Sequence, residues 1–214
     1  MGRYLMMSAV DRRRAVTGIV VAATAFMLPR GGAANTGEEA EFARAILTKV
    51  YDLFLNQNYS DEEVEQRLIV LFDETFDVPT VSRFALGRYW RSASLEEREE
   101  YQRIFSTYFI KNYWRRGVDR SEAAKDTWDI VSVRALDDVD SFVICRVVRP
   151  TAPPKELVLR TRLIEGRLRL IDAVMDGISV LSAVRDDFTS AIRVNGGKVE
   201  SLIALMRARI EASE

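Results

Sequence analysis

Glu156-Leu-Val-Leu-Arg-Thr-Arg-Leu-Ile-Glu-Gly-Arg-Leu-Arg-Leu-Ile-Asp-Ala-Val174 decides the fold class. Apolar and polar side chains alternate on both sides of Glu165-Gly166, the period of a half-buried strand. A two-residue link between two such runs closes only as a tight antiparallel hairpin. Upstream, residues 127–134 and 142–149 carry the same alternation, with turns at Asp137-Asp138 and across residues 150–154. Four strands at 127–134, 142–149, 156–164 and 167–174, joined by short links, imply a curved antiparallel meander.

On both sides of this block the period is helical. Thr36-Gly-Glu-Glu39, Ser60-Asp-Glu-Glu63 and Ser94-Leu-Glu-Glu97 each have the form of a capping box, in which hydroxyl and carboxylate satisfy orphan N–H groups at a helix start. The first opens a helix with Phe42, Ile46, Val50, Leu53 and Phe54 at helical spacing, ended by Asn56-Gln-Asn58. The second opens one with Val64, Leu68, Leu71 and Phe72. Asp77-Val-Pro-Thr80 starts a third helix, since proline fits a first turn; Val81, Phe84 and Ala85 form its stripe and Gly87 its end. The third box opens a long helix to about Arg116, closed by Gly117, with a broad apolar arc including Tyr101, Phe105, Phe109 and Tyr113. After the strands, Leu181, Val184, Phe188 and Ile192 share one face. Beyond Asn195-Gly-Gly197, Val199, Leu202, Ile203, Met206 and Ile210 share another. Helix, sheet, helix in that order predicts one α+β domain over residues 35–214: a curved antiparallel sheet of about four strands covered by helices from both the N- and C-terminal segments, a sheet that resembles the nuclear-transport-factor-like kind.

Composition narrows the chemistry. Among 214 residues there is no histidine and one cysteine, Cys145. The ordinary zinc sites and Ser/His/Asp hydrolases are therefore disfavoured, and no internal disulfide can form. Cys145, on an apolar strand, reads as a buried inert thiol. Residues 1–34 read as an export signal: Arg12-Arg-Arg14, an apolar run from Ala15 to Leu28, then the small-residue stretch Gly31-Gly-Ala-Ala34. Fourteen apolar residues are fewer than the roughly 20 a membrane span needs. The arginine triplet fits either the general secretory or the twin-arginine route. The leader holds five arginines and one acid, so the remainder carries 26 basic against 31 acidic side chains, a net charge of −5. A mildly acidic chain is a poor candidate for nucleic acid.

Three blocks in this order resemble the MlaC (toluene-tolerance, phospholipid-binding) family. The first is Phe76-Asp-Val-Pro-Thr with Phe84-Ala-Leu-Gly-Arg-Tyr-Trp90. The second is Leu95-Glu-Glu-Arg-Glu-Glu-Tyr-Gln-Arg-Ile-Phe105 with Phe109 and Tyr113. The third is Leu170-Ile-Asp172, Asp176-Gly-Ile-Ser179, Val184-Arg-Asp-Asp-Phe188, Gly196-Gly and Leu202-Ile-Ala-Leu205. The resemblance runs over about residues 38–210. Leu168, Asp176 and Val184 depart from the family pattern in the manner of a divergent branch, which keeps a hopanoid open as cargo beside a phospholipid. The resemblance implies a monomeric periplasmic lipid carrier without a cofactor. It would receive a phospholipid from one membrane complex and deliver it to another, an inner-membrane ABC transporter complex and an outer-membrane lipoprotein complex being the partners.

A lipid carrier needs a dry cavity of several hundred Å³, the usual range for ligand pockets. Ten of the 20 aromatic residues lie between Phe84 and Trp128. With the resemblance, Phe84, Trp90, Phe105, Phe109 and Tyr113 are expected to line it, faced by Leu159, Leu170, Val174 and Ile178. Asp172, Asp176 and Ser179 form the one polar cluster that resembles a site. A desolvated aspartate acting as base would make the chain an enzyme. Turn and cap chemistry explains the same residues without catalysis, and Arg185 is placed to pair with one of the acids. The basic group Arg115, Arg116 and Arg120 could meet anionic headgroups or plain solvent. A packed envelope adaptor with no cavity is the third reading.

Overall fold

The computed structural model describes residues 36–114 and 120–212. The expected export signal lies outside the described residues, as do Arg115, Arg116 and the side chain of Arg120. Seven α-helices are described: α1 (Thr36–Leu55), α2 (Asp61–Thr75), α3 (Val78–Leu86), α4 (Leu95–Phe109), α5 (Arg120–Ala123), α6 (Val180–Val194) and α7 (Val199–Glu211). The strands are β1 (Thr127–Ala135), β2 (Asp140–Val148), β3 (Lys155–Ile164), β4 (Arg167–Met175) and β5 (Ile178–Ser179). They form one antiparallel sheet in the order β1-β2-β3-β4-β5. The architecture is α+β, as the alternation predicts, with a short fifth strand that two residues were too few to announce.

The helix starts follow their local chemistry. Ser60 and Ser94 each accept from the N–H three residues on, and Glu63 and Glu97 each accept from the backbone N–H of the serine in return. The side chain of Thr36, needed for the first expected box, lies outside the described residues; Glu39 turns into the fold, where Ser141 Oγ donates to its carboxylate at 3.2 Å. That contact anchors α1 on β2, and α1 packs over β1 and β2. Gly87 ends α3 with φ +58° and ψ −131° and leads into a 3₁₀ turn, Gly87–Trp90. A Cβ there would sit 3.2 Å from the Arg185 Nε. Gly87→Ala is therefore expected to cost about 1–3 kcal/mol, from a backbone region reserved for glycine, and urea unfolding measures it.

The long helix expected to about Arg116 changes character at Ile110. Residues Ile110–Trp114 are π-helical, and the wider turn buries two polar side chains. Asn112 donates to the Tyr108 carbonyl at 3.1 Å, and Lys111 lies 3.6 Å from Glu65, both nearly sealed from solvent. Local π-turns are rare and cluster at functional sites.

Two bulges shape the sheet. In β1 the register shifts at Val131, and in β4 it shifts at Ile171: Arg160 pairs with Asp172, Thr161 with Leu170. The extra residue in β4 places Leu170 and Ile171 successively on the buried side, at 1% and 5% exposure. One sheet face then carries Val143, Cys145, Leu157, Leu159, Leu170 and Ala173 toward the helices. The other carries Phe142, Ile144, Val158, Arg160, Arg162 and Val174. On that outer face Asp140, only 1% exposed, holds both Arg160 and Arg162 at 2.6 Å. Cys145 is fully buried, and burial pushes its thiol up to about 11.

Candidate functional site: an apolar cavity between helices and sheet

Between the inner sheet face and the helices lies a cavity of about 170 Å³. α1 supplies Ile46, Leu47 and Val50; α2 supplies Leu68, Leu71 and Phe72. These are the apolar stripes of two capped helices turned onto one space. α3 adds Val81, and the end of α4 with its π-turn adds Phe105, Phe109 and Ile110. The sheet closes the space with Leu157 and Leu159 of β3 and Leu170, Ile171, Ala173 and Met175 of β4, and Val180 and Leu181 follow at the start of α6. Phe72 is the hub of the aromatic wall, with ring centroids 4.3 Å from Phe76, 4.9 Å from Phe109 and 6.3 Å from Phe105.

Two lining residues have polar side chains, and neither offers them to the space. Thr75 Oγ1 donates back to the Leu71 carbonyl at 2.6 Å. The Asp172 carboxylate accepts from Ser179 Oγ at 2.6 Å, from the Ala173 N–H at 2.8 Å and from the Leu181 N–H at 3.2 Å. A water needs two to four polar partners, and these walls have none to spare. The cavity is dry by construction. Six wall residues are not fully buried: Phe76 at the end of α2, and Leu157, Asp172, Ala173, Met175 and Val180 around the β4–β5 turn, where most of the exposed wall gathers.

Four of the nine residues expected at the site line this cavity: Phe105, Phe109, Leu159 and Leu170. Five stand outside its walls, each for a local reason. Phe84 is 40% exposed on the far side of α3, with the Arg185 guanidinium 5.1 Å above its ring. Trp90 sits in the 3₁₀ turn between Arg98 and Arg83, at 5.3 and 6.0 Å. Tyr113 lies beyond Phe109 and donates to Asp187 at 2.9 Å; burial first, then that carboxylate, raises its phenol above the ordinary value. Val174 faces outward because the Ile171 bulge reverses the alternation after Leu170. Ile178 is 68% exposed beside the β4–β5 turn.

The polar cluster is architectural. Asp176 and Gly177 both take positive φ in the tight turn, and Asp176 Oδ1 accepts from the Glu156 N–H at 3.1 Å. Ser179 caps α6 by accepting from the Ser182 N–H, and Asp172 braces the same helix start. Arg185 pairs with neither acid; it packs over Phe84. Among the described residues no group of three or more Asp, Glu or Cys side chains is placed to hold a metal ion, and no helix is long and apolar enough to cross a membrane.

The wall residues from α1 and α2 were visible in the sequence as helical stripes, but nothing local separates a stripe that packs from one that leaves a gap. The volume is also smaller than the several hundred Å³ expected. It matches a leucine-lined cavity of about 150 Å³ that stays dry and admits a benzene-sized guest.

No curated protein sequence matches the chain. Among solved structures it is similar to the phospholipid-binding protein from Ralstonia solanacearum, determined in complex with a phospholipid. The TM-score is 0.64 and the identity 20%, over 81% of this chain and 97% of that one. The family model for the MlaC protein matches residues 41–208, which include every residue that lines the cavity, and the chain belongs to the MlaC family.

Proposed function

We propose that the chain is a periplasmic carrier that holds a phospholipid by its acyl chains in the cavity between sheet and helices. The observation that carries this reading is the dryness of that cavity: a wall of aliphatic and aromatic groups in which both polar side chains are internally bonded. Each methylene moved from water into such a space contributes about 0.8 kcal/mol. The similar Ralstonia protein, crystallised with a phospholipid, supports the choice of cargo. Phe105, Phe109, Leu159 and Leu170 are the side chains proposed to touch the chain. A flexible hydrocarbon fits better than a rigid polycycle, because a volume of about 170 Å³ can be threaded and widened stepwise but does not preform a wide slot. In this reading residues 1–34 direct export, and the carrier works as a monomer between an inner-membrane ABC transporter complex and an outer-membrane lipoprotein complex.

Gentle purification followed by organic extraction and mass spectrometry is expected to recover phospholipid in stoichiometric amount. Ala173→Trp, which builds an indole into the cavity mouth, is expected to lower the recovered lipid about tenfold or more, since overpacking a dry space leaves no room for a guest. A protein that yields no lipid, or an Ala173→Trp variant that retains as much as the parent, would sink the reading. A recovered hopanoid would keep the carrier and correct the cargo.

A further inference from the structure

A second concave site lies on the helical side of the molecule, away from the cavity walls. It is a groove of about 440 Å³ between the 3₁₀ turn and α6, lined by Arg88, Arg185 and Arg193, the hydroxyl side chains Ser182, Thr189 and Ser190, and one acid, Asp186. All three arginines are exposed, and none is within salt-bridge distance of a carboxylate among the described residues. Elsewhere the fold does pair guanidinium groups: Arg149 with Asp126, Arg160 and Arg162 with Asp140, Arg207 with Glu100. Beside the groove, two of the three are instead set against aromatic faces. Arg185 lies over Phe84, and Arg88 lies 4.9 Å from the Tyr89 ring and donates to its hydroxyl at 3.0 Å. Gly87, which has no side chain, lets Arg185 approach the backbone. Phe84 is the one aromatic ring among the exposed large apolar side chains of the described residues.

We propose that this groove docks an acidic segment of a protein partner, whose carboxylates take bidentate hydrogen bonds from Arg88, Arg185 and Arg193 while Phe84 supplies the apolar anchor. Exposed arginine and aromatic side chains are the residue types that dominate interface energies, and a guanidinium prepositioned on a ring presents its fork to a carboxylate with little loss of freedom. The charge pattern favours a protein segment over an anionic bilayer. The chain beyond residue 34 carries a net charge of −5, so a flat anionic surface meets repulsion over most of the molecule. A short acidic segment senses the charges within about 8 Å, the screening length at physiological salt. Concavity points the same way, because a protruding strand or helix end enters a groove that a bilayer only bridges.

The test uses the purified protein and a fluorescent hexaglutamate peptide at physiological ionic strength, about 0.15 M. The parent is expected to bind the peptide with a salt-sensitive affinity, and R88E/R193E to bind it about tenfold or more weakly. R146E/R167E, which makes the same change in net charge on the outer sheet face, is expected to bind like the parent. Both double variants are expected to keep the parent's melting temperature and its lipid content; should R88E/R193E melt early, the neutral R88Q/R193Q carries the same comparison. Absence of peptide binding, equal loss in R146E/R167E, no loss in R88E/R193E, or binding to vesicles of phosphatidylglycerol and phosphatidylcholine in place of the peptide would each overturn the proposal. Lipid recovery from the same preparations reads the cavity separately, so failure of the groove leaves the carrier reading intact.

Discussion

Phe105→Ala is expected to lower the unfolding free energy by about 3–5 kcal/mol in urea denaturation, the range for deleting a fully enclosed phenyl ring. The side chain has no exposure, and its ring meets Tyr101 at 5.7 Å, Phe109 at 6.1 Å, Phe72 at 6.3 Å and Phe188 at 6.4 Å. It thus ties α4 to α2 and α6 at once. The upper half of the range applies, because the void left behind merges with a space that the fold already keeps open. Collapse around the deletion, the usual source of relief, is correspondingly limited. Phe84→Ala is the internal comparison: with 40% of its surface in water it should lose about 1 kcal/mol or less. Equal losses in the two variants would mean that burial does not set their difference.

Asp140→Ala is expected to cost about 3 kcal/mol at pH 7, the lower end for breaking a buried ion pair, because the guanidinium groups of Arg160 and Arg162 keep about a third of their surface in water. The figure describes the removal of one partner, which strands two charges on the sheet. It does not describe the worth of the cluster against an apolar replacement. The pH dependence follows from direction alone. The hydrogen bond from Arg162, followed by that from Arg160, holds the Asp140 carboxyl below its ordinary value. A carboxyl depressed by folding contributes stability that is complete above its unfolded pKa, near 4, and is lost as pH falls toward the folded value. The gap between parent and variant should therefore narrow below about pH 4, where the parent gives up the same contacts by protonation. A gap that stays constant to pH 2 would show that Asp140 acts through packing and not through its charge.

Both variants rest on features that the sequence discloses unevenly. The four longer strands fall within two residues of where alternation puts them, and two capping boxes form as written, because those signals are local. Helical spacing groups Phe84 with Val81 and Ala85, yet α3 buries Val81, Ser82, Ala85 and Leu86. At about 100° per residue those four span one arc, and Phe84 falls on its outer side. A buried serine carries no apolar signal, so spacing alone favours Phe84 over Ser82 for the inner face. Val174 was misplaced by the extra residue at Ile171, which inverts every later position on the strand. No composition signal marks that bulge, which lies next to the residue, Leu170, that Phe76 bridges. Lys111-Asn112 within an apolar arc is the one hint of the π-turn in the sequence. Volume is the least legible quantity: the wall residues could be listed by stripe, but the space between them depends on where whole helices stop.

The shift at Val131 has a bearing on how the molecule behaves in company. β1 is a nine-residue strand at the end of the sheet. Such a margin, if flat, would offer its free amides and carbonyls as a seed for a neighbouring copy. One supernumerary residue twists the margin and breaks the even ladder that fibrillar stacking requires. A polypeptide that must keep an oily interior reachable from outside is thereby spared a second invitation to coalesce.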